Sequence, residues 1–199
     1  MLNSERHHRG ALTAVVAVVT VLTLSACASV MPGTGLGGDL PDDVNAADVM
    51  FVEMMIPHHE QAIEMADIVL AKDDIDPAVI VLATDIKAAQ GPEIDLMESW
   101  LADWGLPSMA GTGGMGDGGH GDHGGDGMMS DDDMRALADA DGAEASRLFL
   151  EQMIEHHEGA IEMAQNLVDD GENGEVRQLG EAIITAQKAE IELMRELLD

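Results

Sequence analysis

A chain of 199 residues is long enough for one domain with a buried core, or for two small ones. Aromatic residues make up only 2% of it, while Met reaches 15 and Gly 22, so any core is aliphatic and thioether, which suits packed helices and argues against a β-rich fold. The formal charge of −30 repels nucleic acid and anionic lipid and attracts cations, although acidity of this kind commonly does no more than solvate helix surfaces.

Arg6 and Arg9 precede an apolar run from Ala11 to Leu24 that is short for a bilayer span, so residues 1–26 read as a signal peptide. The run ends in Leu24-Ser25-Ala26-Cys27, which resembles the bacterial lipobox and marks Cys27 for lipidation as the new N-terminus. The expected location is therefore the outer face of the cell membrane, with the lipid as anchor. Loss of Glu5, Arg6 and Arg9 leaves 38 acidic against 7 basic residues, a formal charge of about −31. With Cys27 the single cysteine, a disulfide framework and a thiolate metal cluster are excluded. Residues 27–41, rich in Gly, Pro and small side chains, read as a flexible tether.

The mature chain is built on a stretch that occurs twice, FVEMMIPHHEQAIEMA from Phe51 and FLEQMIEHHEGAIEMA from Phe149, at an offset of 98 without gaps. A weaker match at an offset of 97 relates Ile86, Gln90, Glu93, Ile94, Leu96 and Met97 to Ile183, Gln187, Glu190, Ile191, Leu193 and Met194. Each copy is thus a pair of segments. In the first, residues 42–104, a helix capped at Asp42 or Asn45 runs to about Lys72 with Pro57 bending it, and a second starts at Asp76-Pro77 and runs toward Trp104, with a kink or break at Gly91-Pro92. Trp100 and Trp104 read as a packed helix end.

Residues 105–130 change to Gly, Asp, His and Met with no period, the pattern of a disordered linker. Its Met109, Met115, His120, His123, Met128 and Met129 are candidate weak metal ligands. The second copy, 131–199, begins with a short helix capped by Ser130. A long helix then follows Asp141-Gly142, the chain turns at Gly171–Gly174, and a last helix runs to Leu198. The expected fold is all-α, with two helical hairpins forming one four-helix bundle. A bundle closed by hairpin exchange in a homodimer is equally compatible with so long a linker.

On a helix, Phe51, Met55, His58, Ala62, Met65 and Val69 share a face with Val52, Ile56, His59, Ile63, Ala66 and Leu70, while Glu53, Glu60, Gln61, Glu64 and Asp67 fall outside it. The second box repeats this with Met153, His156, His157, Ala160 and Met163, and the companion helices add Gln90 with Met97, and Gln187 with Met194 and Leu198. Four imidazoles on apolar faces require partners, since an unpaired buried polar group costs about 1–3 kcal/mol. The partners are a structural network through Gln90, Gln187 or bent-in glutamates, or a metal.

Ferritin-like di-iron sites need inward glutamates with a Glu-x-x-His step, which neither box has, so an oxygen-rich site lacks ligands here. Imidazole with thioether suits Cu(I), and imidazole alone suits Cu(II) or Zn(II). Copper is the best single assignment, with His58, His59, Met55, His156, His157, Met153, Met97 and Met194 as candidate ligands and Gln90 and Gln187 behind them. No nucleophile constellation and no paired carboxylates point to catalysis. The competing expectation is a metal-free interaction module of the cell envelope, with a buried histidine network.

The pattern Met-Ile-x-His-His-Glu-x-Ala-Ile-x-Met-Ala, followed by Gln-x-x-Glu-Ile-x-x-Met, resembles the exported bacterial family known as domain of unknown function 305, from about Asp42 to Leu198 and in both copies. The resemblance implies a ferritin-like four-helix bundle outside the cytoplasm. It also implies copper handling, since a cyanobacterial periplasmic member binds copper. The residues matching the motif are Met55, His58, His59, Met153, His156 and His157.

Overall fold

Asn45 opens the first long helix through a reciprocal cap: its side chain accepts from the backbone of Ala47 and Asp48, and the Asp48 carboxylate accepts from the Asn45 N–H. This helix, α1, covers Ala46–Leu70, and Asp76 caps α2, Pro77–Asp103, with Pro77 in the first turn where its missing N–H does no harm. Ser130 and Asp133 make a second capping box for the short α3, Asp131–Asp139, which is followed by α4, Gly142–Asp170, and α5, Gly174–Leu198. The computed structural model describes residues 40–107 and 127–199, all within one compact unit, and contains no strand among them. The signal peptide, Cys27 and most of the tether and linker lie outside the described residues.

Neither internal proline interrupts its helix. The break expected at Gly91-Pro92 does not occur, because Pro92 and Ala88, whose carbonyl the proline deprives of a donor, both lie on the solvent side where water serves that oxygen.

Two apolar clusters fix the topology. In one, the second half of α1 (Ala62 to Val69) meets the start of α2 (Val79, Leu82, Ile86), the first half of α4 (Phe149, Leu150, Met153) and the end of α5 (Ile191, Met194). In the other, the start of α1 (Phe51, Val52, Met55, Ile56) meets the end of α2 (Met97, Trp100, Leu101), the second half of α4 (Ala160, Ala164, Leu167) and the start of α5 (Val176, Leu179, Ile183). Each helix thus runs antiparallel to its hairpin partner, and α1 runs antiparallel to α4, the helix through which the two hairpins chiefly meet. Trp100 and Trp104 stack with ring centroids 6.4 Å apart and close one end.

The duplication survives as a pseudo-twofold relation between the hairpins. Asp48 accepts from the backbone N–H groups of Glu172 and Asn173 in the turn between α4 and α5. Its counterpart 98 residues on, Ser146, accepts at 3.1 Å from the N–H of Asp76 in the turn between α1 and α2. Each hairpin therefore holds the other's turn. No helix among the described residues is long and apolar enough to cross a membrane.

Candidate metal centre

Between the two apolar clusters lies a buried polar layer made of His58 and His59 of α1, Gln90 of α2, His156 and His157 of α4, and Gln187 of α5. The inward heptad-like rows place all six there, and the antiparallel packing brings the two boxes to one height. The rings of His58 and His156 stand with centroids 3.7 Å apart at 38°, and those of His156 and His157 at 6.3 Å and 52°. His58 and His156 are equivalent in the repeat, so the pseudo-twofold axis passes between these two rings.

The outer histidine of each box has a carboxylate partner. Nε2 of His59 donates to Glu93 Oε2 at 2.8 Å, and Nε2 of His157 donates to Glu190 Oε2 at 2.6 Å. A carboxylate oxygen only accepts, so Nε2 holds a proton in both rings, and in the neutral imidazole Nδ1 then carries the lone pair. Those Nδ1 atoms, both ring nitrogens of His156, and Oε1 of Gln90 and Gln187 are buried without a hydrogen-bond partner. Several such groups in one layer, each costing about 1–3 kcal/mol, are far more than a settled core tolerates. The layer is a cluster of buried ring nitrogens and amide oxygens with few partners inside the protein.

Glu93 and Glu190 were not singled out from the sequence as partners, although the weaker repeat relates them. Gln90 and Gln187, expected behind the histidines, make no bond to them through Oε1. The glutamates one helical turn further along reach in from positions whose side chains remain 25% and 23% exposed. A half-wet carboxylate gains a charge-assisted bond to an imidazole at little desolvation cost, which an amide does not match.

Met55, Met97, Met153 and Met194 are fully buried. They are divided between the layer's two sides, Met55 and Met97 in one apolar cluster and Met153 and Met194 in the other. Met55 and Met153 stand one helical turn from the histidine pairs of their own helices, the distance at which side chains meet. Met163, expected inward like its counterpart Met65, is only half-buried, and Leu198 is exposed at the chain end. Among the described residues no three His, Cys, Asp or Glu side chains converge as a finished coordination group. The donors that do converge are imidazoles with thioethers on either side, a set that fits a soft monovalent ion of low coordination number and not an oxygen-loving one.

Of the linker candidates, Met109, Met115, His120 and His123 lie outside the described residues. Met128 is half-buried, and Met129 is buried in the core cluster. The Gln61 side chain holds the Met129 backbone from both sides, accepting from its N–H at 2.7 Å and donating to its carbonyl at 2.9 Å. Gly127 precedes this clamp at φ +72°, where an added Cβ would fall 2.7 Å from the Glu155 carbonyl and 2.9 Å from the Gly159 Cα. Residues 127–130, which the sequence reading placed in the linker, are among the described residues.

Burial holds the His156 imidazole well below the ordinary histidine range, and repulsion from a protonated neighbour at His58, His157 or His59 lowers it further. His156 is neutral in the fold and takes up a proton only on unfolding. Its contribution to stability is therefore complete above about pH 6.5 and declines below it, by about 1.4 kcal/mol per pH unit, until the folded-state pKa is reached. Urea unfolding of the metal-free protein between about pH 7.5 and 5 checks this. The wild type is expected to lose stability more steeply than His156→Leu, by the slope of one proton.

The model for the family described as domain of unknown function (DUF305) matches residues 48–198. No curated protein matches the chain. Among solved structures, a DUF305 fragment from Deinococcus radiodurans is 31% identical with a TM-score of 0.68, covering 78% of this chain and 97% of that one. A DUF305 protein from Streptomyces coelicolor is 35% identical with a TM-score of 0.66, covering 76% and 90%. CopM in its Cu(II)-bound form is 37% identical with a TM-score of 0.62, covering 76% and 95%, and CopM has also been solved with Cu(I) and with Ag. The repeated box, the fold and the matched span agree, and this chain belongs to the DUF305 family.

Proposed function

We propose that this chain is an extracytoplasmic copper-binding protein, anchored to the membrane by a lipid on Cys27, that sequesters or relays the ion through the histidine layer. The observation that carries the reading is the set of buried nitrogens of His59, His156 and His157 that have no hydrogen-bond partner, in a layer flanked by thioethers. Copper in CopM and the signal-peptide pattern of residues 1–26 support it, and the Streptomyces relative is described as secreted.

Copper is cargo in this account. The residues that hold it are His58, His59, His156 and His157, with Met55 and Met153 nearest along the same helices. Glu93 and Glu190 orient the outer imidazoles and keep their Nδ1 lone pairs inward. The acidic surface raises the local concentration of cations. The role is binding and not turnover.

Competition titration with a chromophoric Cu(I) chelator tests the proposal. The wild type is expected to take Cu(I) from the chelator, and the variant with His58, His59, His156 and His157 all changed to Ala to lose that affinity by at least about 100-fold while its circular dichroism remains helical. Unchanged affinity in the folded variant overturns the histidine site. The bonds to Glu93 and Glu190 favour a second reading, a metal-free structural network. It expects the four-alanine variant to lose stability and the protein isolated from its native envelope to carry no stoichiometric copper.

A further inference from the structure

The pseudo-twofold relation gives the α1–α4 pair two equivalent grooves, and the two have different fates. One is filled. Gln61 clamps the Met129 backbone, Gln152 donates to the Asp133 carbonyl at 3.0 Å, and Lys72 donates to the carbonyls of Ala138 and Ala140, both at 2.7 Å. These bonds seat α3 and its lead-in over Leu148 and Met65, with Leu137 fully buried beneath.

Among the described residues the other groove is open, a cavity of about 230 Å³ between the start of α1 and the second half of α4. Shifting by 98 replaces every polar residue that seats α3, and Leu148 with them. Gln152 corresponds to Met54, Gln61 to Gly159, Lys72 to Asp170, and Leu148 to Met50, while Met65 corresponds to Met163. The amides and the ammonium that bind a helix backbone are gone, so the open groove is not a second seat for a helix.

What replaces them is three thioethers and acid. Met50 and Met54 stand one turn apart on α1, and Met163 faces the same cavity from α4. Met50 is 58% exposed and Met54 and Met163 are half-buried, whereas Met55, Met65, Met97, Met153 and Met194 are fully buried. Gly159 contributes no side chain to fill the space, and Glu162 and Asp170 line the same cavity with carboxylates. Neutral, polarisable sulfur donors select soft monovalent cations, and the carboxylates supply the compensating charge.

We propose that this groove is a second metal site, a thioether site for Cu(I) or Ag(I) formed by Met50, Met54 and Met163. It is separate from the histidine layer and adjoins it. Met54 lies one helical turn before His58, about 6 Å along α1, and Gly159 lies one turn after His156. An ion held by the thioethers thus waits at the outer edge of the layer, and the step from groove to layer rests on the reading given under Proposed function, whereas the groove site itself does not.

The test uses the protein labelled with ¹³C at its methionine methyl groups and titrated with Ag(I), which is redox-stable. The expected result is that the Met50, Met54 and Met163 methyl signals shift together. The triple variant Met50→Leu, Met54→Leu, Met163→Leu, which keeps apolar bulk at each position, is expected to bind one Ag(I) equivalent fewer with an unchanged helical spectrum. These groove shifts are also expected in the variant with all four histidines changed to Ala; if they persist while the layer binds nothing, the groove stands and the histidine reading falls. Shifts confined to Met55, Met97, Met153 and Met194, or unchanged Ag(I) stoichiometry in the triple leucine variant, overturn the groove site.

Discussion

Replacing His156 by leucine is expected to raise the stability of the metal-free protein by about 2 kcal/mol and to remove most of the stabilisation that Cu(I) gives the wild type. Both ring nitrogens of His156 are buried without a hydrogen-bond partner of good geometry, so the fold carries most of their desolvation cost. Leucine fills a comparable space with no polar atom, and the shape change costs less than about 1.5 kcal/mol. Loss of the imidazole at the axis also removes a donor from the layer. At a free ion concentration of 1,000 times Kd, binding stabilises a fold by about 4 kcal/mol, and the variant is expected to show little of that.

Urea unfolding of wild type and His156→Leu, each with and without buffered Cu(I), measures both effects. The metal-free network reading expects the opposite sign in the absence of copper, because a histidine that holds the layer together would be missed. A variant that is less stable without metal and equally stabilised by it argues against a binding role for His156.

The parts of this molecule that were legible from sequence are those governed by local pattern. The caps at Asn45, Asp76 and Ser130 and the inward rows of both boxes follow from short-range chemistry, and the structure places them as that chemistry requires. The depth of the histidine layer was legible too, since a duplicated inward pair brings both copies to one level once the helices run antiparallel. The carboxylate partners were not. Glu93 and Glu190 sit at the border of their helix faces, and only the tertiary approach of α2 to α1 and of α5 to α4 decides that their side chains turn inward. Helical periodicity also could not place Met129 in the core, because that residue belongs to no helix and is held by Gln61 across 68 positions of sequence. Met163 shows the reverse effect. It keeps the phase of Met65, but its neighbour Gly159 and the absence of an overlying α3 leave it lining an open groove.

Asp48→Ala is expected to cost about 3 kcal/mol, more than any other single polar change among the contacts between the hairpins. The carboxylate is fully buried and accepts from the backbone N–H of Asn45 at 2.9 Å, of Glu172 at 3.2 Å and of Asn173 at 3.1 Å. Truncation leaves these donors without an acceptor, loosens the cap of α1, and frees the turn between α4 and α5 that Asp48 holds. Ser146→Ala, the equivalent change on the other side of the pseudo-twofold axis, releases only the Asp76 N–H and the bond to the Gly142 carbonyl, and should cost about 1 kcal/mol. Asp48→Asn keeps one acceptor oxygen and should fall between them. Chemical denaturation of the three variants orders them, and hydrogen exchange at residues 172 and 173 should accelerate in Asp48→Ala alone. Because the histidine layer exists only while both hairpins stay in register, Asp48→Ala should also weaken Cu(I) binding without touching a ligand. Equal losses for Asp48→Ala and Ser146→Ala would show that the buried carboxylate adds nothing to what a hydroxyl supplies there.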